Sequence, residues 1–208
     1  MTDPFPDASV DLLVIGGGPA GAATAYWAAS HGLDVLVVER KTFPRDKTCG
    51  DGLTPRAVHQ LEEMGLGPIL ERYHRFDGLR AIAHGRTIEM PWPDHTVYPT
   101  YGYVVRRCDL DAFVAEHAVT AGATLLQGTE AVRPIDPPDG AMPGTIGGAI
   151  VLDKTTGTER AIRARHVVVA DGANSRFGRS LGTVRDRAYP MGMAIRGYFE
   201  SPLHDDPW

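Results

Sequence analysis

The chain has 208 residues, of which 43% are hydrophobic, and a net charge of −5, as expected for one medium-sized globular domain with an acidic surface. The acidic balance gives no reason to expect a nucleic-acid partner. No apolar run reaches about 18 residues and no signal peptide is recognisable, so we expect a cytoplasmic protein without a membrane span. Two cysteines in different contexts and scattered histidines predict neither a disulfide framework nor a metal site.

The first forty residues predict a βαβ unit that binds a dinucleotide. Val10–Ile15 is a short, apolar, β-branched run, which is typical of a buried parallel strand. Pro19–His31 predicts an alanine-rich helix, which Gly32 ends as a C-cap. Asp34–Val38 predicts a second buried strand. A strand, a helix and a strand in this order form the framework on which dinucleotide-binding folds hold a pyrophosphate.

The glycines between the first strand and the helix follow the pattern Gly-x-Gly-x-x-Gly. Gly16 permits the tight turn, Gly18 lets the backbone approach a pyrophosphate, and Gly21 lets the helix pack against the sheet. Glu39 ends the second strand close to the position, roughly 20 residues past the last glycine, at which an acid binds a ribose diol. That carboxylate would repel a 2′-phosphate, so NADP is disfavoured, whereas FAD and NAD remain open. Arg40, which follows Glu39, is a further cofactor-binding candidate.

The middle of the chain predicts an excursion from this fold. Residues 40–52 form a loop without apolar periodicity. Thr54 is the expected N-cap of a helix that ends at Gly65, and Pro68–His74 predicts another short helix. Residues 77–97 predict two antiparallel strands with a turn near Gly85, followed by a proline-rich stretch.

The chain then returns to the nucleotide fold. Asp109 is the expected N-cap of a helix that runs to Ala121, and Thr156-Gly157 is the expected turn of a hairpin. Residues 137–145 read as a turn-rich loop. The remaining predicted elements are strands, at Tyr101–Arg106, Ala123–Gln127, Glu130–Ile135, Ile146–Asp153, Thr158–Ala164, His166–Ala170 and Gly192–Glu200.

Three further places carry candidate functional residues. Cys49, Gly50 and Gly52 lie in a loop whose glycines permit close approach to a flat ligand, although an ordinary surface loop with a free thiol is an equal alternative. Arg107 stands at a strand-to-helix junction, where its guanidinium can reach a pyrophosphate, while Arg106 faces the other way if the strand continues. Asp171 follows an apolar strand at the carboxyl edge of the sheet, where α/β folds bind ligands. Arg107 could instead be a solvated charge at the start of a helix, and Asp171 could belong to an ordinary turn after a core strand.

Four motifs together resemble the geranylgeranyl reductase family of FAD-dependent oxidoreductases, which have the p-hydroxybenzoate-hydroxylase type of flavoprotein fold. They are the glycine loop with Glu39, the stretch Phe43–Ala57, the pattern Arg-x-x-Leu-Asp that starts at Arg107, and Ala170–Ser175. The resemblance covers the whole chain and is closest to the actinobacterial menaquinone reductase branch. The CGDGLTP segment within Phe43–Ala57 is its most specific part.

The resemblance implies roles for individual residues. Ala20 and Glu39 would bind the ADP half of FAD, and Cys49, Gly50 and Gly52 would line the isoalloxazine. Arg107 would lie near the pyrophosphate or ribityl chain. Ala131, just after a strand, would offer its backbone to the adenine, and Asp171 would support the FAD site. Cys49 is also a candidate proton donor, because a thiol beside the flavin could act as an acid.

The fold implied by the resemblance is an α/β, Rossmann-like FAD-binding domain. It has a parallel sheet with helices, a β-hairpin or meander layer, and an inserted, incomplete β-rich substrate domain. The FAD-binding part would comprise residues 1–76 and 100–182, and the substrate domain residues 77–99 and 183–208. The family's later motifs are absent from the sequence, so we expect a truncated chain.

The implied function is reduction of isoprenoid C=C bonds in a polyprenyl lipid by hydride from reduced flavin. The reductant would be NAD(P)H or a ferredoxin-like protein, and contact with the inner face of the membrane would be peripheral. A flavin-dependent aromatic monooxygenase or halogenase of the same fold is one alternative, and an inactive N-terminal fragment is another.

Overall fold

The computed structural model describes residues 8–184, 186, 188–190, 192–203 and 205–208. Its strands are β1 (Ala8–Ile15), β2 (Val35–Glu39), β3 (Gly52–Leu53), β4 (His74–Phe76), β5 (Gly78–Ala83), β6 (Arg86–Pro91), β7 (Gly102–Val104), β8 (Thr124–Gln127), β9 (Thr129–Ile135), β10 (Gly148–Asp153) and β11 (Glu159–Val169). Its helices are α1 (Pro19–Ser30), α2 (Pro55–Glu63), α3 (Gly67–Leu70), α4 (Arg107–Thr120) and α5 (Arg176–Ser180). No described helix is long and apolar enough to cross a bilayer.

The chain forms two compact units. The first unit comprises Met1–Arg45 and Leu110–Met191, and the second comprises Asp46–Asp109 and Gly192–Trp208. The division of the chain into two FAD-binding and two substrate-domain segments, made from the sequence, remains a prediction.

A six-stranded sheet organises the first unit, in the order β8-β2-β1-β11-β10-β9. Strands β8, β2, β1 and β11 are parallel, because β1 pairs in parallel with both β2 and β11 and β2 does so with β8. Strands β10 and β9 extend the sheet in antiparallel pairing. The α/β fold class predicted from the sequence is confirmed.

The hydrophobic core lies on both faces of this sheet, which explains the continuous apolar runs from Leu12 to Ile15 in β1 and from Val35 to Val38 in β2. Leu13 on one face of β1 packs with Leu36 and Val38, and Val14 on the other face packs with Val35 and the alanines of α1. A strand that is covered on both faces buries every side chain, so continuous apolar runs replace the alternating pattern of a half-exposed strand.

One long strand replaces two predicted strands in the last third of the chain. The expected breaks between Thr158–Ala164 and His166–Ala170 do not occur, because β11 runs without interruption through both. Its first half pairs with β10 as far as Arg163, and from Ile162 onward it pairs with β1. The predicted hairpin is therefore continuous with the parallel sheet. Helix α5 was not predicted; the Ser175 hydroxyl caps it by accepting the Gly178 N–H at 2.7 Å.

Helix starts differ from the sequence predictions in two places. Helix α4 begins at Arg107, so Asp109 lies in its first turn instead of acting as its N-cap. Arg106 and Arg107 consequently do not lie on the same extended strand. The prediction that their side chains point to opposite sides of a strand was therefore wrong. The helix predicted over Pro68–His74 is only one turn, and the chain from His74 to Phe76 instead pairs with β7.

The second unit contains two small sheets. One has the order β3-β7-β4, and the other is the hairpin of β5 and β6, which confirms the two strands predicted around Gly85. The strand predicted over Gly192–Glu200 is wrong, since these residues have no regular secondary structure.

Candidate functional site

Three strands of the first unit end at the same edge of the sheet. Ile15 of β1 lies beside Val38 of β2 and Val169 of β11, so the residues that follow all three strands emerge together. The glycine loop follows β1, Glu39 closes β2, and Asp171 stands two residues beyond β11. This is the edge at which parallel α/β sheets bind their ligands.

The glycine loop has the tight geometry that its sequence predicts. Gly16 adopts a φ of +101°, and a Cβ there would lie 2.5 Å from the Ala170 carbonyl oxygen. A Cβ on Gly21 would collide with the Gly16 carbonyl. Gly18 differs: a Cβ there would meet only Arg45, at 3.5 Å. Its lack of a side chain therefore leaves open space in front of the helix.

Helix α1 starts at this loop with exposed backbone donors. Gly18 is the N-cap and offers no side-chain cap, and Pro19 occupies the first helical position. The first-turn N–H groups of a helix have no partner inside the helix, and the helix dipole adds positive potential there. An uncapped N-terminus beside a glycine loop suits a pyrophosphate. Ala20 lies in this first turn and is exposed.

The Glu39 carboxylate is buried and already holds three donors. Its Oε2 accepts the Gly17 N–H at 3.0 Å and the Arg45 Nη2 at 3.3 Å, and its Oε1 accepts the Lys41 N–H at 2.9 Å. The side chain predicted to bind ribose thus also fixes the glycine loop. Arg40, the adjacent residue, is exposed.

Arg45 was not predicted from the sequence and is a central part of this edge. Its Nη1 lies 3.0 Å from a carboxylate oxygen of Asp111, whose side chain is fully buried in α4. Its guanidinium also lies 5.0 Å from the centre of the Phe43 ring. Arg45 and Asp111 both fall inside motifs of the family resemblance, which was the available signal. Their pairing is not visible in the sequence.

Two buried polar atoms at this edge have no hydrogen-bond partner among the residues that the structure describes. They are Oδ1 of Asp171 and Nε of Arg45. A Cβ on Gly16 would approach Asp171 Cα to 2.8 Å, and Arg45 faces Gly18, so both residues border the glycine loop. Buried polar atoms are usually satisfied. One orphan acceptor and one orphan donor beside an uncapped helix fit the hydroxyls and phosphates of an ADP moiety.

Ala131 has a different position from the one predicted. It lies inside β9, paired with Val151, and its side chain belongs to the core cluster that contains Leu36 and Val38. The expectation that it follows a strand was wrong, since β9 already starts at Thr129. Binding of adenine by its backbone remains a prediction.

The second unit holds the remaining predicted residues around Asp51. The Asp51 carboxylate accepts the Arg107 N–H at 3.0 Å, Nη1 of Arg196 at 3.3 Å and the Tyr198 hydroxyl at 2.8 Å. Burial, followed by the hydrogen bond to Asp51, raises the pKa of Tyr198, so the phenol stays protonated and donates. Asp51 thereby fixes the start of α4. No role was predicted for it.

The predicted flavin-side residues of this unit surround Asp51 in sequence. Cys49 is an exposed free thiol, and Arg107 is half-buried. A Cβ on Gly50 would meet nothing within 4 Å, and one on Gly52 would reach only the Phe76 ring at 4.0 Å. Neither glycine adopts a positive φ. Packing and backbone conformation in this structure therefore do not require glycine at either position, so the surface there stays open.

The fold and the strand-end edge define a dinucleotide-binding α/β domain. The chain belongs to the FAD binding domain family, whose match extends over residues 9–198. FAD is therefore its cofactor, as the resemblance implied. The uncapped helix, the glycine loop and the orphan atoms of Asp171 and Arg45 fit its ADP half.

The chain is similar to known reductases of the family that its sequence resembles. Menaquinone reductase of Mycobacterium tuberculosis is 43% identical over 202 residues, which are 97% of this chain and 47% of that protein. Digeranylgeranylglycerophospholipid reductase 1 of Methanothermobacter thermautotrophicus is 32% identical, over 92% of this chain and 46% of its own length. A solved geranylgeranyl bacteriochlorophyll reductase-like protein from Thermoplasma acidophilum is similar with a TM-score of 0.68 and 28% identity, over 85% of this chain and 42% of that chain. The chain spans about half the length of these relatives, and the predicted resemblance is confirmed.

Proposed function

We propose that the protein is an FAD-dependent oxidoreductase that saturates isoprenoid C=C bonds of a polyprenyl lipid. The substrate is a menaquinone side chain or a geranylgeranyl group. The observation that carries this proposal is 43% identity to a menaquinone reductase over 97% of the chain, on a domain whose cofactor edge retains the glycine loop and the buried acid.

The residues of the first unit bind and orient the cofactor in this proposal. The first turn of α1 and the open space at Gly18 bind the pyrophosphate, and Glu39 accepts a hydrogen bond from a ribose hydroxyl. A hydroxyl of the cofactor donates to Oδ1 of Asp171, which otherwise has no partner among the described residues. These contacts bind the adenosine end, which does not react. Binding energy from a remote, non-reacting part serves to position the reacting part.

The redox chemistry belongs to FAD, which when reduced supplies a hydride. An isolated double bond takes a hydride at one carbon and a proton at the other, so the protein must also deliver a proton. Cys49 is the proposed donor, because its thiol is solvent-exposed and stands in the most specific motif of the resemblance. Gly50, Gly52 and Arg107 are the proposed flavin-side contacts, with Ala131 at the adenine and Arg40 beside the ribose acid.

The partners follow from the substrate. A polyprenyl lipid resides in the bilayer, so we propose peripheral contact with the inner face of the membrane. The proposed reductant is NAD(P)H or a ferredoxin-like protein, since the flavin must be reduced again after each turnover.

An anaerobic assay tests this function. The chain would be used alone and as a chimera in which it replaces the matching part of the Mycobacterium tuberculosis menaquinone reductase. With the flavin reduced chemically, menaquinone and a geranylgeranyl lipid are each added. We expect a product heavier by two hydrogen atoms, detected by mass spectrometry. Cys49→Ser should lower the rate, whereas Cys108→Ser, the matched thiol control, should not.

Two results would contradict the proposal. Absence of a saturated product from the chimera with both lipids would exclude the reductase. Formation of a hydroxylated or halogenated aromatic in air would assign the protein to the alternative branch of the same fold.

A further inference from the structure

Asp51 is a buried carboxylate that binds groups from distant parts of the second unit. Its side chain is only 9% exposed. One donor is the backbone N–H of Arg107, 56 residues further along the chain, and the other two are the Arg196 guanidinium and the Tyr198 hydroxyl. An unpaired buried charge is strongly unfavourable, so a carboxylate in this position depends on such donors. Both oxygens of Asp51 are therefore held by hydrogen bonds.

Arg196 connects the two ends of the segment that contains Cys49. Its Nη1 donates to the Lys47 carbonyl oxygen at 3.0 Å and to Oδ1 of Asp51 at 3.3 Å. Residues 47–51 have no regular secondary structure, so neither a helix nor a strand ladder fixes their conformation. One guanidinium group thus closes this loop at both ends, with Cys49 at its centre.

Further contacts hold the Asp51–Arg196 pair in place. The Val105 N–H donates to the backbone carbonyl oxygen of Asp51 at 2.8 Å, directly beside the pairing of β3 with β7. Arg196 also contacts Asp46, and its guanidinium lies 4.7 Å from the centre of the Tyr198 ring. Side chains that are held by several neighbours can give a functional group a defined position.

Proton delivery requires such a defined position. A proton donor must lie within hydrogen-bond reach of the atom that it protonates, and a misplacement of about 1 Å can cost about a hundredfold in rate. Cys49 is an exposed thiol in an irregular loop, so its own packing constrains it little. The Asp51–Arg196 pair supplies the missing constraint.

We propose that Asp51 and Arg196 are positioning residues, which close the loop of residues 47–51 and thereby hold the Cys49 thiol in place for proton transfer. The inference rests on the proposed function, in which Cys49 is the proton donor. Neither Asp51 nor Arg196 contacts the reacting atoms in this proposal, and both act through the loop.

Electron paramagnetic resonance tests the constraint without using the reaction. A nitroxide label is attached to Cys49 in the 208-residue chain, with Cys108→Ser to leave a single thiol. Asp51→Asn and Arg196→Met should each narrow the spectrum, because the label moves faster once the loop is released. Asp77→Asn is the matched control and should leave the spectrum unchanged, since Asp77 also forms an ion pair in the second unit, at 3.0 Å, but is 50% exposed.

Steady-state kinetics of the reductase chimera test the consequence for the reaction. Asp51→Asn and Arg196→Met should each lower kcat about 10- to 100-fold, as expected for a misplaced catalytic group, while KM for the lipid stays nearly unchanged. The double variant should be scarcely slower than either single variant, because both substitutions remove the same constraint. Rates are expressed per bound flavin, so a merely structural loss of folded enzyme leaves kcat unchanged.

Three results would overturn the proposal. They are an unchanged label mobility in both variants, an effect confined to KM, and single-variant losses of kcat that multiply in the double variant. A wild-type chimera that forms no saturated product would instead refute the proposed function, and the label mobility alone would then decide whether the Asp51–Arg196 pair constrains Cys49.

Discussion

Replacing Arg45 by methionine should destabilise the first unit more than any comparable surface change. Arg45 and Asp111 lie 3.0 Å apart, with side chains 10% and 0% exposed. Arg165 and Asp11 form a pair with the same 3.0 Å separation, but Arg165 is 73% exposed. The two pairs differ mainly in burial, so Arg165→Met is a matched control for Arg45→Met.

The expected magnitudes follow from the charges left behind. Removing one partner of a buried pair costs about 3–5 kcal/mol, because the other charge stays buried and uncompensated. Arg45→Met leaves both Asp111 and Glu39 without their cation, whereas Asp111→Leu leaves Arg45 with Glu39 as a partner. Arg45→Met should therefore be the more costly substitution. An exposed pair contributes about 0–1 kcal/mol, which bounds the effect of Arg165→Met.

Urea unfolding followed by far-ultraviolet circular dichroism measures each free energy of unfolding. The double variant Arg45→Met/Asp111→Leu should cost clearly less than the sum of the two single variants, since it removes both members of the pair. Additive single costs, or an Arg45→Met variant as stable as Arg165→Met, would refute the view that burial of this ion pair holds the loop against α4.

Two further predictions concern the second unit. Arg107→Ala should release more FAD on dialysis than Arg106→Ala, because the family motif assigns Arg107 to the pyrophosphate or ribityl chain and Arg106 to no cofactor contact; equal flavin content would contradict the assignment. The hydrogen bond from Arg80 lowers the pKa of Asp206. Its stabilising contribution is therefore complete above the ordinary carboxyl pKa and is lost as the pH falls toward the lowered pKa, so Asp206→Asn should weaken the dependence of stability on acid pH. Unchanged acid unfolding curves would count against this.

The parts of the fold that local sequence determines were predictable. Strands β1 and β2 and helix α1 follow from an apolar run, a glycine turn and an alanine-rich stretch, all within the first forty residues. Strand β11 was predicted as two pieces, which are separated by Arg165. In the structure Arg165 is an exposed position within the strand, and pairing with β10 and β1 continues the strand through it.

The unpredicted features depend on contacts between distant residues. Arg45 in a loop and Asp111 in α4 acquire meaning only when the chain brings them together, as do Asp51 and Tyr198 in the second unit. Residues 192–200 show the opposite situation, in which the local pattern predicts an element that the structure lacks. Their alternation predicts a strand, yet a strand also needs a hydrogen-bonded neighbour, and the described residues supply none. Sequence pattern specifies which side chains face together, whereas pairing depends on a partner.

The hydrogen bonds of Glu39 restrict how it can bind a ribose. A carboxylate has about four acceptor positions, and the Gly17 N–H, the Lys41 N–H and Arg45 occupy three of them. Two of these donors share Oε2, so the open position lies on Oε1. If Arg45 keeps its place, Glu39 accepts one hydroxyl of the adenosine ribose and not both.

Deoxy analogues of FAD test this asymmetry. Removing the hydroxyl that Glu39 binds should cost about 1.5–3 kcal/mol, the value of a hydrogen bond to a charged group, which weakens binding roughly 10- to 150-fold. Removing the other hydroxyl should change the affinity little. In the Glu39→Gln variant both deoxy analogues should bind with nearly the same affinity as FAD binds to that variant, because the charged acceptor is gone. Equal losses with the 2′-deoxy and 3′-deoxy forms, measured by flavin fluorescence titration, would show that Arg45 moves away when the cofactor binds.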